Sequence, residues 1–124
     1  MNLVDSSGWL EYLADGPNAA FFAPALEATA DLLVSAINLY EVFKRVLQQR
    51  GKEEAMHAVA LMQQATVLDV TAPIALSAAQ LSVESGLPMA DSLILSTAWT
   101  RQATLWTQDE HFKNIRGAKF IEKK

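Results

Sequence analysis

The sequence predicts an α/β fold: three layers, with helices on both faces of a short central parallel sheet of four to five strands. Three observations carry that prediction. Short apolar runs alternate with segments whose apolar residues recur every three or four positions, as strands followed by amphipathic helices do. The stretches between runs are long enough to hold a crossover helix, which parallel neighbours require. Gly51, Pro73, Gly86 and Pro88 fall where helical stretches should start or stop.

Leu3 to Ser6 reads as the first strand, followed by a helix from about Ser7 to Ala14 with Trp9, Leu10 and Leu13 on one side. Asp15-Gly16-Pro17-Asn18 is a turn. Ala19 to Ala28 has helical spacing at Phe21, Phe22, Ala25 and Leu26, with Pro24 in a first turn or at a kink. Leu32 to Val34 is the second strand. From Ile37 to about Gln49, Leu39, Val42, Phe43, Val46 and Leu47 trace a stripe, and Gly51 is expected as a left-handed cap. Lys52 to Gln64 forms the second arm of a helical hairpin, with Ala55, Met56, Val59 and Met62 inward. A strand at Thr66 to Val70 follows. Pro73 opens a helix through about Glu84, closed by Gly86, and Pro88 opens another to about Gln102. Thr104 to Trp106 is the fourth strand, a short helix spans Glu110 to Asn114, and Ala118 to Ile121 is an edge strand.

The chain of 124 residues, 51% of them hydrophobic, fits one domain (residues 1–124) with a real core. It has no cysteine, which excludes disulfides, thiolate zinc sites and cysteine nucleophiles. Two histidines, His57 and His111, are too few for a zinc centre. No apolar run approaches the roughly 18 residues of a membrane span, and the start lacks basic residues before its apolar stretch, so a soluble, cytoplasmic protein is expected. A net charge of −4 argues against holding nucleic acid by bulk positive charge. Lys44, Arg45, Arg50 and Lys52, and separately Arg101, Lys113, Arg116 and Lys119, are either local basic rims for a phosphate or ordinary solvated helix ends.

Asp5, Glu41, Asp91 and Asp109 each sit at or just beyond a junction between an apolar run and a helical pattern. In an open α/β fold such junctions gather at one edge of the sheet, and a pocket of several carboxylates needs a hard divalent cation such as Mg²⁺ or Mn²⁺. Each residue has a plainer reading beside this one. Asp5 caps a helix, or binds metal with Ser6 or Ser7 holding its rotamer. Glu41 lies opposite the apolar stripe and pairs with Arg45, or reaches the sheet edge. Asp91 heads the stripe of Ile94, Leu95 and Ala98, where it serves the helix dipole or a metal. Asp109 is a first-turn acid behind a Thr107–Glu110 capping box, or a ligand. His111 reads as a surface residue.

The order of these segments is familiar. Leu3-Val4-Asp5-Ser6-Ser7, Asn38-Leu39-Tyr40-Glu41-Val42, the helix from Leu87-Pro88-Met89-Ala90-Asp91 to Ala98, and Trp106-Thr107-Gln108-Asp109-Glu110-His111-Phe112 together resemble the PIN-domain nucleases. Size and spacing look most like the VapC-type toxins of type II toxin–antitoxin modules. The resemblance spans nearly the whole chain and implies a PIN-like fold and a Mg²⁺- or Mn²⁺-dependent endoribonuclease. It also implies Asp5, Glu41, Asp91 and Asp109 as catalytic and metal-binding residues, with Ser6 and Thr107 in support. An antitoxin partner, an RNA substrate and a homodimer or toxin–antitoxin hetero-oligomer are implied as well. Two alternatives stand beside it: a non-toxin nuclease of the same fold acting in RNA processing or on DNA, and a non-catalytic α/β binding module. Phe21, Phe22, Ala25 and Leu26 are expected either to present an apolar surface for an antitoxin helix or to pack into the core.

Overall fold

The computed structural model describes residues 1–124. Five short strands form one parallel sheet: β1 (Asn2–Val4), β2 (Leu32–Ser35), β3 (Thr66–Leu68), β4 (Thr104–Thr107) and β5 (Ala118–Phe120), in the spatial order β3-β2-β1-β4-β5. The helices are α1 (Ser6–Leu13), α2 (Ala19–Glu27), α3 (Ala36–Arg50), α4 (Lys52–Met62), α5 (Ala72–Ser85) and α6 (Met89–Thr100). Short 3₁₀ turns lie at Thr29–Asp31 and Glu110–Phe112. The predicted class and element order hold, with every strand in its expected place.

Register and alternation explain the layers. Leu3 lies beside Leu33 of β2 and Leu105 of β4. All three are fully buried and face one way, against Ile94, Leu95 and Ala98 of α6. Their neighbours Val4 and Val34 face the other way, against Trp9, Phe22, Val42 and Met62 from α1 to α4. Central strands buried on both faces read as unbroken apolar runs, as Leu32-Leu33-Val34 does. Since β2 and β3 lie on one side of β1 and β4 and β5 on the other, the strand order reverses at β1. A crevice opens outside the C-terminal ends of β1 and β4, where α/β sheets bind their ligands.

Several local expectations are corrected. β1 stops at Val4, so Ser6 joins Ser7 in α1, and Asp5 takes the capping role that was one of its two expected readings. Gly51 has a positive φ, but its ψ of 178° is extended, not left-handed helical. It ends α3 and begins α4 in a single residue, and that reversal is closed to residues with a side chain. Met56 is exposed, because α4 packs on α3 through Ala55, Ala58 and Met62. Phe22, Ala25 and Leu26 are buried and Phe21 leans edge-on against Phe22 and tilts onto Trp106, so this group is core and offers no docking surface.

Gly8 lets α1 lie close to the sheet. A Cβ there would come within 2.5 Å of Val4 Cγ1 and 2.7 Å of Phe22 Cε1. Any larger residue would push α1, and Asp5 with it, off β1.

Candidate metal centre

Asp5 is held by three hydrogen bonds. Its Oδ1 accepts from the Gly8 amide at 3.1 Å and from Ser7 Oγ at 2.7 Å, while Oδ2 accepts from Thr107 Oγ1 at 2.8 Å. Capping and positioning are therefore one arrangement: the bond that starts α1 also fixes the carboxylate. Thr107, the last residue of β4, also accepts from the Asp109 amide at 2.9 Å, tying the two acidic segments together. The expected Thr107–Glu110 capping box does not form. Asp109 is itself the cap of the following 3₁₀ turn and accepts from the His111 amide at 2.9 Å.

Glu41 is not the Arg45 ion-pair partner that its helical spacing suggests. Its Oε1 accepts from Ser6 Oγ at 2.7 Å, and Ser6 in turn accepts from Asn38 Nδ2 at 3.1 Å. Asn38 Oδ1 receives the Ser35 amide at 3.0 Å in a capping box at the start of α3. Ser7 thus serves Asp5, and Ser6 serves Glu41. Asn38, fully buried, is a positioning residue that sequence reasoning did not single out, although its three-residue spacing from Ser35 marks the box.

Asp91 lies in the first turn of α6, where the helix N-terminus favours its charge. Its Oδ2 is 2.7 Å from His111 Nδ1, and the same nitrogen is 3.2 Å from Asp109 Oδ1. His111 therefore belongs to the acidic site, contrary to its reading as a bystander. Nothing in a single sequence signals a contact across twenty positions.

All four predicted carboxylates line one cavity of about 500 Å³. Lys44 and Arg45 stand on its rim with Tyr40 and Gln48. A neighbouring groove of about 640 Å³ between α1, α3 and α4 shares Ser7, Leu10 and Arg45 with it, and adds Arg50, His57 and Lys123. Three of the four C-terminal basic residues are engaged elsewhere: Lys113 pairs with Glu122, Arg116 lies over Trp99 and Lys119 over Trp106.

The electrostatics follow from burial and crowding. Desolvation pushes the Asp5 carboxyl up to about 7, against the pull of its three hydrogen bonds and with a further push from Asp109. Asp91 is raised by desolvation and by the charges of Asp109 and Glu41, and His111 opposes the rise. The imidazole of His111 is held above its usual value by its bond to Asp91 and the charge of Asp109.

A family model described as PIN domain matches residues 3–118. The chain belongs to the PIN domain family. Solved structures agree on the PIN fold. A toxin–antitoxin complex from Klebsiella pneumoniae superimposes with a TM-score of 0.77 at 24% identity, covering 96% of this chain and 96% of that one. VapC20 of Mycobacterium tuberculosis, a sarcin-ricin loop cleaving toxin, gives 0.79 at 18% identity over 94% of this chain and 96% of its own. FitAcB from Neisseria gonorrhoeae gives 0.74 at 24% identity over 98% and 97%. A search of curated protein sequences found no match.

The donor set of this PIN domain suits a divalent ion. Hard carboxylate oxygens dominate, and donor atoms of Asp91, Asp109 and His111 lie within 4.8 Å of one another. Burial is what chiefly raises the Asp5 and Asp91 carboxyl groups, with neighbouring acids adding to it, and a bound cation would oppose both effects.

Proposed function

We propose that this protein is a divalent-metal-dependent endoribonuclease, the toxin of a toxin–antitoxin module, acting in the cytoplasm as a single domain. The observation that carries the reading is the meeting of Asp5, Glu41, Asp91 and Asp109 in one cavity at the switch point of the sheet. The PIN family match and the fold shared with toxin structures support it.

Asp5, Glu41, Asp91 and Asp109 would hold Mg²⁺ or Mn²⁺. Such an ion, when bound, lowers the pKa of water and polarises a phosphate oxygen, so no side-chain nucleophile is needed. The chain does the rest. Ser7, Thr107 and the Gly8 amide hold Asp5 in one rotamer, and Asn38 and Ser6 do the same for Glu41, so neither carboxylate must reorganise when substrate arrives. Lys44 and Arg45, three and four residues beyond Glu41 on α3, meet substrate phosphates that the acidic centre repels. A carboxylate-lined cavity that engages the phosphate backbone favours single-stranded or looped RNA recognised by shape.

A cognate antitoxin would neutralise the protein, and a homodimer or toxin–antitoxin hetero-oligomer is its expected assembly. Titrating Mn²⁺ or Mg²⁺ into the purified protein with a structured RNA tests the reading. Cleavage should require the ion and disappear in Asp5→Asn and Asp91→Asn, both still folded by circular dichroism. Metal-independent cutting, or wild-type rates in either variant, would overturn it. A binding module with no metal affinity would give neither cleavage nor a calorimetric signal.

A further inference from the structure

His111 touches two carboxylates of the acidic cavity, Asp91 and Asp109, in a way that capping alone does not explain. Its amide binds Asp109 Oδ1 at 2.9 Å, which anchors the backbone of the 3₁₀ turn, while the ring folds back so that Nδ1 lies 2.7 Å from Asp91 Oδ2 and 3.2 Å from Asp109 Oδ1. For an ion with ligand bonds of roughly 2.1 Å, two adjacent octahedral ligands lie about 3 Å apart. The three donors are thus spaced as neighbouring ligands of one small cation, in a group whose atoms all lie within 4.8 Å of each other. The ring is 56% exposed, which leaves water free to complete the coordination.

We infer that His111 is a metal ligand and biases this site towards Mn²⁺ and later first-row ions over Mg²⁺. The inference rests on the nuclease reading and adds the identity of the ion. Mg²⁺ demands oxygen, whereas an imidazole nitrogen suits transition metals, so one nitrogen among carboxylates discriminates between ions that the acids alone would treat similarly. Coordination uses the Nδ1 lone pair and leaves the ring proton on Nε2. Asp91 and Asp109 supply the negative charge, and His111 supplies the selectivity.

The test measures metal binding without RNA. Electron paramagnetic resonance of the Mn²⁺-loaded protein should show nitrogen hyperfine coupling, and ¹⁵N-histidine labelling should change it. The coupling should vanish in His111→Asn, with His57→Asn as the control that retains it. Calorimetry should find Mn²⁺ affinity lowered about tenfold or more in His111→Asn, with Mg²⁺ affinity changed by less than about twofold. Absence of nitrogen coupling in the wild-type protein overturns the inference without needing any variant. Equal losses for both ions would make His111 a mere positioning partner of Asp91 and also overturn it. The broader nuclease reading fails separately, if Asp91→Asn and Asp5→Asn bind Mn²⁺ as tightly as the wild type.

Discussion

At neutral pH the buried Asp5 carboxyl, pushed up to about 7, is near half-protonated in the metal-free protein. A folded-state pKa above the unfolded value means that the native state binds the extra proton, so stability falls as pH rises from about 4 to about 7 and then levels. The loss is on the order of 4 kcal/mol from Asp5 alone. Asp91 shifts in the same direction, and the raised His111 loses its contribution as pH climbs through its own folded value, so the three effects share one sign. Thermal melts in chelator should show the metal-free protein becoming less stable over that range, and Asp5→Asn should flatten the trend and raise Tm at pH 7.5. A wild-type melting temperature that rises from pH 4.5 to 7 would contradict this. Metal must also displace the proton, so Mn²⁺ affinity should climb up to about tenfold per pH unit below pH 7 and flatten above. Sequence patterning marked Asp5, Asp91 and Asp109 because they sit near junctions of apolar patterns, which local spacing encodes, whereas Glu41, inside α3, owed its place to the family resemblance. It could not find His111, whose partner Asp91 lies on another element, nor assign Ser6 and Ser7 between Asp5 and Glu41.

Helix α1 shows how packing sets the site. Gly8 admits the close approach of α1 to Val4 and Phe22, both fully buried and unable to yield. Gly8→Ala gains helix propensity of about 1 kcal/mol but overpacks this contact, for a net loss of about 1–3 kcal/mol. Urea unfolding measures that loss, and cleavage should fall further than stability because Asp5 begins the same helix. Unchanged stability would mean that α1 can slide. Phe22→Glu puts a charge into the core and should leave the chain unfolded and insoluble, whereas a docking residue would only weaken partner binding. Elements were legible where their signals were local: Pro73 and Gly86 bracket α5, and Gly86 does take the left-handed conformation. Signals that depend on the neighbour were not. Choosing between Met56 and Ala58 as the inward position of α4 requires knowing where α3 lies, and a two-residue slip in register turns the face away.

At the scale of the whole molecule, charge is sorted rather than uniform. A chain of net charge −4 keeps Arg45 and Arg50 on a groove that opens beside its acidic centre. Arg45→Glu with Arg50→Glu should raise KM for RNA about tenfold with a smaller change in kcat, and should reduce the salt dependence of binding; an unchanged KM would remove the groove from the RNA path. The acidic cavity also suits an arginine from an antitoxin, which can bind carboxylates in bidentate fashion and displace the ion. Inhibition should then weaken as Mn²⁺ rises at constant ionic strength, and an inhibition constant independent of metal would point to blockage of the groove instead. The overall class was readable because alternation of strand and helix admits few topologies, while the strand order was not, since no local pattern says that β1 pairs with β4. That pairing governs when the acidic site can be completed. The Asp5 amide donates to Trp106 O at 3.0 Å, and Thr107 holds the Asp5 side chain, so the first carboxylate made waits for almost the last strand made. During translation the growing chain therefore carries Asp5 without the Trp106 and Thr107 bonds that fix it. On the nuclease reading proposed above, cleavage has to wait until β4 has left the ribosome and docked against β1, an interval in which the chain is made but its site is incomplete.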